Sequence, residues 1–235
     1  MKKASENIAA NANEALKADN ASVSSSQKSQ ENVAATKNAG LPEIVFATNN
    51  EHKLQEVREL TAGKMRILSL NDIDCHDDIP ETADTLEGNA LMKAQWVHDR
   101  YGRDCFSDDT GLEIDALGGA PGVHSARYGG VAHDSERNID RVLGELQGVT
   151  DRTARFRTII ALMAHGEVHT FAGKVEGHIA TERHGTGGFG YDAIFIPDEG
   201  DGRSFAQMAP EEKNAISHRG RATALLVEFL INNYL

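Results

Sequence analysis

Phe106-Ser107-Asp108-Asp109-Thr110-Gly111-Leu112, followed through to Leu117-Gly118-Gly119-Ala120-Pro121-Gly122, is the stretch around which the chain is organised. Two adjacent carboxylates follow an apolar start and meet a hydroxyl and a glycine, where the backbone can turn sharply. A second apolar run, 112–117, is closed by the Gly-Gly-Ala-Pro-Gly punctuation. The pattern predicts strand, acidic turn, strand and rigid loop. Acidic pairs beside turns are ordinarily solvated loop tips, but this one lies between two apolar strands. A carboxylate held at a strand end binds Mg2+ or takes a proton from water.

Upstream, the apolar run 42–47 suits a buried strand. The polar loop Thr48-Asn49-Asn50-Glu51-His52-Lys53 then leads into Leu54, Val57 and Leu60 at helical spacing. Strand, loop and helix start expose free backbone N–H groups that take anions, and Lys53 adds a point charge. The bland reading of the loop is an ordinary helix cap by Thr48 or Asn49. Residues 65–70 predict a strand and 71–84 an acidic loop. Its Cys75-His76-Asp77-Asp78 cluster matches no zinc spacing. A helix follows over 86–101, with Ala90, Leu91, Ala94 and Val97 on one face. Asp84 and Glu87 carry capping-box spacing; Glu87 is otherwise a second metal carboxylate, with Lys93 projecting toward phosphate.

Downstream, a helix over 135–147 ends at Gly148, and strands over 155–163 and 168–175 turn at His165-Gly166. The loop Gly185-Thr186-Gly187-Gly188-Phe189-Gly190-Tyr191-Asp192 precedes a short strand, 193–196, stopped by Pro197. Glycines permit close backbone approach, and an aromatic raised on them can stack on a flat ring. The bland alternative is a tight strand entry with a core Phe. Ser217 suits the N-cap of the last helix, which puts His218 and Arg219 in a first turn where the macrodipole disfavours cations. Placement against a local rule points to a ligand role.

Composition sets the outer limits. The chain has 235 residues and a formal net charge of -12. That balance excludes wrapping of polymeric nucleic acid, which needs Lys and Arg against phosphates, yet leaves room for a small anionic ligand. Cys75 and Cys105 cannot build a disulfide framework, and no apolar run reaches transmembrane length. With no secretory signal, the expectation is cytoplasmic. Residues 1–41, rich in Ala, Asn, Ser and Lys, predict a disordered extension ahead of a domain over 42–235.

In order and spacing, five of these motifs resemble the inosine triphosphate pyrophosphatase family, also called Ham1-like: Thr48 to Lys53, Ser107 to Leu112, Gly118 to Gly122 with Ser125-Ala126-Arg127-Tyr128, Gly187 to Asp192, and Ser217-His218-Arg219-Gly220. The resemblance implies an α/β fold: a long, twisted mixed sheet flanked by helices, two lobes with a central cleft, and a homodimer. It also implies Mg2+-dependent hydrolysis of ITP, dITP or XTP to the monophosphate and pyrophosphate. Asp109 is then the metal-linked carboxylate that activates water, supported by Asp108. Thr48, Asn49, Asn50, Glu51, His52, Lys53, Lys93 and Thr110 hold phosphates. Phe189 stacks on the purine, within the Gly190-Tyr191-Asp192 loop, and Asp192, Lys213, His218 and Arg219 address its edge. The family often carries a metal-binding Glu immediately before the residue corresponding to Asn89. Here Gly88 stands in that place, and Glu87 is the nearest acid.

Two other classes compete. A non-catalytic purine nucleotide sensor would use the same loops. A glycosidase with paired carboxylates fits less well, because adjacent strand residues face opposite ways.

Overall fold

In the computed structural model, which describes residues 40–233, the chain runs β1 (Glu43–Phe46), α1 (Glu51–Leu60), β2 (Arg66–Leu68), α2 (Leu86–Tyr101), β3 (Cys105–Ile114), α3 (Ser135–Glu145), β4 (Thr153–Ala164), β5 (Glu167–Ile179), β6 (Phe195–Pro197), α4 (Pro210–Ile216) and α5 (His218–Asn233). The extension expected over 1–41 lies, except for residues 40 and 41, outside the described residues. The strands form one mixed sheet in the order β2-β1-β3-β4-β5-β6. β1 is parallel to β2 and β3, and every pairing from β3 to β6 is antiparallel.

The acidic stretch does not turn. Asp108, Asp109 and Thr110 lie in the middle of β3, paired along its whole length with β4. The expected strand–turn–strand fails because Gly111 serves another need. A Cβ there would lie 2.8 Å from the Gly122 carbonyl oxygen, so the glycine admits the returning loop rather than bending the strand.

Side-chain alternation along β3 sorts its residues between two cores. Phe106 joins Phe46, Leu54, Val57, Leu226 and Leu230 beneath α1 and α5. Cys105 faces the other way, with Leu86, Ala90, Ala94 and Val97 of α2. Full burial of each such large side chain is worth about 1.5–3 kcal/mol. Asp108 shares the Phe106 face and Asp109 the Cys105 face. A third cluster, Leu112, Ile114, Phe156, Val175 and Phe195 with Ile139 and Val142 of α3, closes the far end of the sheet.

Several local expectations need correcting. Asn50, not Thr48 or Asn49, caps α1 by accepting the Lys53 N–H at 3.1 Å, while Thr48 accepts that of Asn50. Thr85 caps α2 through the Gly88 N–H at 3.0 Å, which displaces the Asp84–Glu87 box. Leu91 is exposed; Lys93 and Asn89 are buried instead. The last strand includes Pro197, which is tolerated because β6 is a sheet edge. The β4–β5 turn at His165-Gly166, with φ of 51° and 80°, forms as its sequence predicts.

Candidate active site

β1 stops at Phe46, whose partner is Phe106, whereas β3 continues to Ile114. Beyond that point Asp108, Asp109 and Thr110 have no strand on the β1 side, and the Thr48–Lys53 loop diverges there toward α1. Openings of this kind, at the carboxyl ends of parallel strands, are where α/β sheets bind ligands. A cavity of about 660 Å³ occupies the opening. All the residues expected to touch substrate line it, from Thr48 to Arg219, and so does Asp109. Asp108 and Glu87 do not.

Asp108 is the buried counter-ion of the floor. Its carboxylate accepts from Lys53 Nζ at 2.8 Å, from Arg219 Nε at 3.2 Å and from the Thr110 hydroxyl at 3.2 Å. Burial alone would raise its pKa; Lys53, Arg219 and Lys93 more than reverse this and keep it ionised. Asp109, one residue on, points to α2. Asn89 Nδ2 donates to it at 3.1 Å and Lys93 Nζ stands 3.9 Å away. Burial raises the Asp109 pKa above the usual aspartate range, against the pull of Lys93 and Lys53. The same burial, with the neighbouring cations Lys93 and Arg219, lowers that of Lys53 despite Asp108.

Glu87 sits elsewhere. Thr85 starts α2 so that Asn89 faces Asp109. Glu87, two residues earlier and about 200° round the helix, turns out to Arg157 Nη2 at 2.9 Å. The acid that joins the site is Glu81, from the loop read as merely acidic. It accepts from Lys93 Nζ at 2.6 Å and lines the cavity. Lys93 also donates to the Asp108 carbonyl at 2.7 Å. Burial would lower its pKa, but Asp109, Glu81 and Asp108 together raise it.

At the other end, the glycine loop is folded on one buried carboxylate. Asp192 accepts the Phe189 N–H at 2.8 Å and Lys213 Nζ at 2.9 Å. A Cβ at Gly188 would lie 2.1 Å from Asp192 Oδ2, and Gly188 has φ +68°, so only glycine fits. Lys213 Nζ lies 4.9 Å from the Phe189 ring centre and the Arg219 guanidinium 5.5 Å. Glu56 joins the two cations: it accepts from Lys213 Nζ at 2.6 Å and from Arg219 Nη1. Sequence reading missed Glu56, although it lies three residues after Lys53 on the same face of α1.

His218 is buried between Phe156, ring centres 4.5 Å apart, and the cations. Burial and its neighbours Arg219 and Lys213 hold its pKa far below the usual range, so the imidazole is neutral. Its Nδ1 has no hydrogen-bond partner. A neutral imidazole in the first turn of α5 removes the clash with the macrodipole; the Arg219 charge is met by Glu56 and Asp108. Ser217 caps the turn by accepting the Gly220 N–H at 3.0 Å.

A mixed α/β sheet whose opening beside β3 joins carboxylates and lysines to an aromatic loop ringed by cations defines a protein built to hold a flat-ringed, anionic ligand. The Ham1 family model matches residues 44–229. A dITP/XTP pyrophosphatase of Porphyromonas gingivalis is 55% identical over 192 residues, covering 81% of this chain and 98% of the relative. The dITP/XTP pyrophosphatase of Bacillus subtilis is 43% identical, covering 81% and 98%. The structure of a Ham1 protein from Coxiella burnetii superposes with a TM-score of 0.74 at 38% identity, covering 82% of this chain and all of that one. The chain belongs to the Ham1 family. Among its described residues no helix is long and apolar enough to cross a membrane.

Proposed function

We propose that this chain hydrolyses ITP, dITP and XTP to the monophosphate and pyrophosphate, clearing non-standard purines from the nucleotide pool. The observation that carries the reading is the shared cavity: Asp109, Lys53 and Lys93 at one end, Phe189, Lys213, His218 and Arg219 at the other. The relatives named as dITP/XTP pyrophosphatases support it.

The donors suit Mg2+. Among the described residues no cluster of three or more His, Cys, Asp or Glu could hold a metal alone. Asp109 and Glu81, however, converge on the Lys93 ammonium. Mg2+ characteristically takes one or two carboxylates and completes its shell with phosphate oxygens and water. We assign those two carboxylates to it. When bound, the ion withdraws charge from the triphosphate and makes a nearby water more acidic. Asp109 takes the proton of a water directed at the α-phosphorus. Lys53 and Lys93 neutralise phosphate charge as pyrophosphate leaves, and Asp108 keeps Lys53 in place. Positioning and charge neutralisation supply most of the rate in such chemistry.

The donors beside Phe189 set hypoxanthine and xanthine apart from adenine; guanine shares the 6-oxygen, so its exclusion must come from the 2-position. Hypoxanthine and xanthine offer an oxygen at the 6-position to Lys213 and Arg219, whereas adenine offers a donor. A site built for an acceptor rejects the mismatch by as much as about 10⁴–10⁵. Neutral His218 supplies one ring donor and one acceptor. The family resemblance adds a homodimer, measurable by light scattering, and we read an enzyme of the nucleotide pool as cytoplasmic.

Incubation with dITP, XTP, dATP and dGTP, with and without Mg2+, tests the reading. Pyrophosphate released from dITP and XTP, and only with Mg2+, is the expected result. Orthophosphate alone would identify a γ-phosphatase, and tight dITP binding without turnover a sensor.

A further inference from the structure

His52 stands in the phosphate loop, beside Lys53, yet its imidazole is turned away from the carboxylate end. It lies parallel to the Phe189 ring, with centres 5.2 Å apart and planes inclined by 13°. The two rings come from different parts of the chain, the first turn of α1 and the glycine loop, and both line the cavity. Phe189 also carries the cations that face a purine edge, Lys213 at 4.9 Å and Arg219 at 5.5 Å. His52 therefore belongs to the base end, not to the phosphate end that its sequence neighbours suggest.

We infer that His52 and Phe189 are the two jaws of a clamp, and that the purine slides between them to be stacked on both faces. The inference rests on the nucleotide reading above and assigns His52 a role in base affinity. A flat base needs about 3.5 Å on each side, so jaws at 5.2 Å must part by about 2 Å. The backbone on both sides is held: Asn50 caps the helix at the Lys53 N–H, and the Phe189 N–H is tied to Asp192. The His52 side chain is exposed, so the jaws part by rotation of its imidazole about the side-chain bonds. Stacking on an aromatic tolerates any flat base, so His52 adds grip and leaves the choice of base to the groups around its edge.

The test uses the full chain, with dITP binding measured by calorimetry without Mg2+ and turnover measured with it. His52→Ala should weaken dITP binding and raise KM about tenfold while kcat changes less than about twofold. His52→Phe should restore both to within about twofold. Tripolyphosphate, which has no ring, should inhibit wild type and His52→Ala equally. The clamp is overturned if His52→Ala leaves dITP affinity unchanged, if His52→Phe is no better than His52→Ala, or if tripolyphosphate weakens by the same factor as dITP. The last result would return His52 to the phosphates. Wild-type protein that binds dITP without turnover would sink the catalytic reading while leaving the clamp measurable.

Discussion

Asp108 and Asp109 are chemically identical and adjacent, yet the pleat of β3 gives them unlike work. Asp108 faces Lys53 and Arg219 and does not reach the cavity; Asp109 faces Asn89 and Lys93 and does. Asp109→Asn should keep the fold, since asparagine still accepts from Asn89, and lower kcat by at least about 100-fold. Circular dichroism beside steady-state kinetics checks both halves. Asp108→Asn should act in the opposite proportion. It strips Lys53 of its buried counter-ion, leaves Arg219 with Glu56 alone, and costs about 3–5 kcal/mol of stability, read as a lower midpoint in urea. The pair was legible but was expected in a turn; its opposite facing follows from the continuous strand. Residue pattern alone did not tell which member meets substrate, since that depends on where β1 stops; only the family resemblance singled out Asp109. Glu81 and Glu56 were equally hidden, one in a loop without periodicity and one among the ordinary polar residues of an amphipathic helix.

At the scale of elements, α5 bears directly on β5, and a glycine permits it. A Cβ at Gly173 would lie 2.0 Å from the His218 carbonyl oxygen and 2.7 Å from the Ala222 nitrogen. Both are backbone atoms, so the helix would have to move, carrying His218 and Arg219 with it. Gly173→Ala should therefore destabilise by about 1–3 kcal/mol and raise KM for dITP as well. Gly144 in α3 is the counter-case, with nothing within 4 Å of an added Cβ. Gly144→Ala should raise the thermal midpoint, by about 0.5–1 kcal/mol of stability, and leave KM alone. The helix over 86–101, the helix expected over 135–147 (which ends at Glu145) and the β4–β5 hairpin could be read from apolar spacing and turn residues. The continuous β3 could not. Gly111 looks like a turn signal until Gly122 is seen pressing against it.

Across the whole molecule, one chain of buried charges runs beneath the cavity. It passes from Asp108 to Arg219, Glu56, Lys213 and Asp192, and ends on the Phe189 N–H. It links the strand that carries Asp109 to the loop that carries the aromatic ring. Glu56 is its middle. Burial would raise the Glu56 pKa, but Arg219 and Lys213 more than reverse this and lower it below the ordinary value. The folded protein thus holds that proton less tightly than the unfolded chain. The stabilisation is present above the unfolded value, about 4.3, and is lost as pH falls through the lower folded value. Glu56→Gln should lower the thermal midpoint most near neutral pH, and the gap from wild type should close as the solution is acidified.

The central claim is that this molecule aims an Asp109-activated water at the α-phosphorus of a purine triphosphate held at both ends. Hydrolysis of dITP in ¹⁸O-enriched water, followed by mass spectrometry of both products, tests it most directly. The account predicts one ¹⁸O in the dIMP phosphate and none in the pyrophosphate. Label in the pyrophosphate, or in orthophosphate, would contradict it.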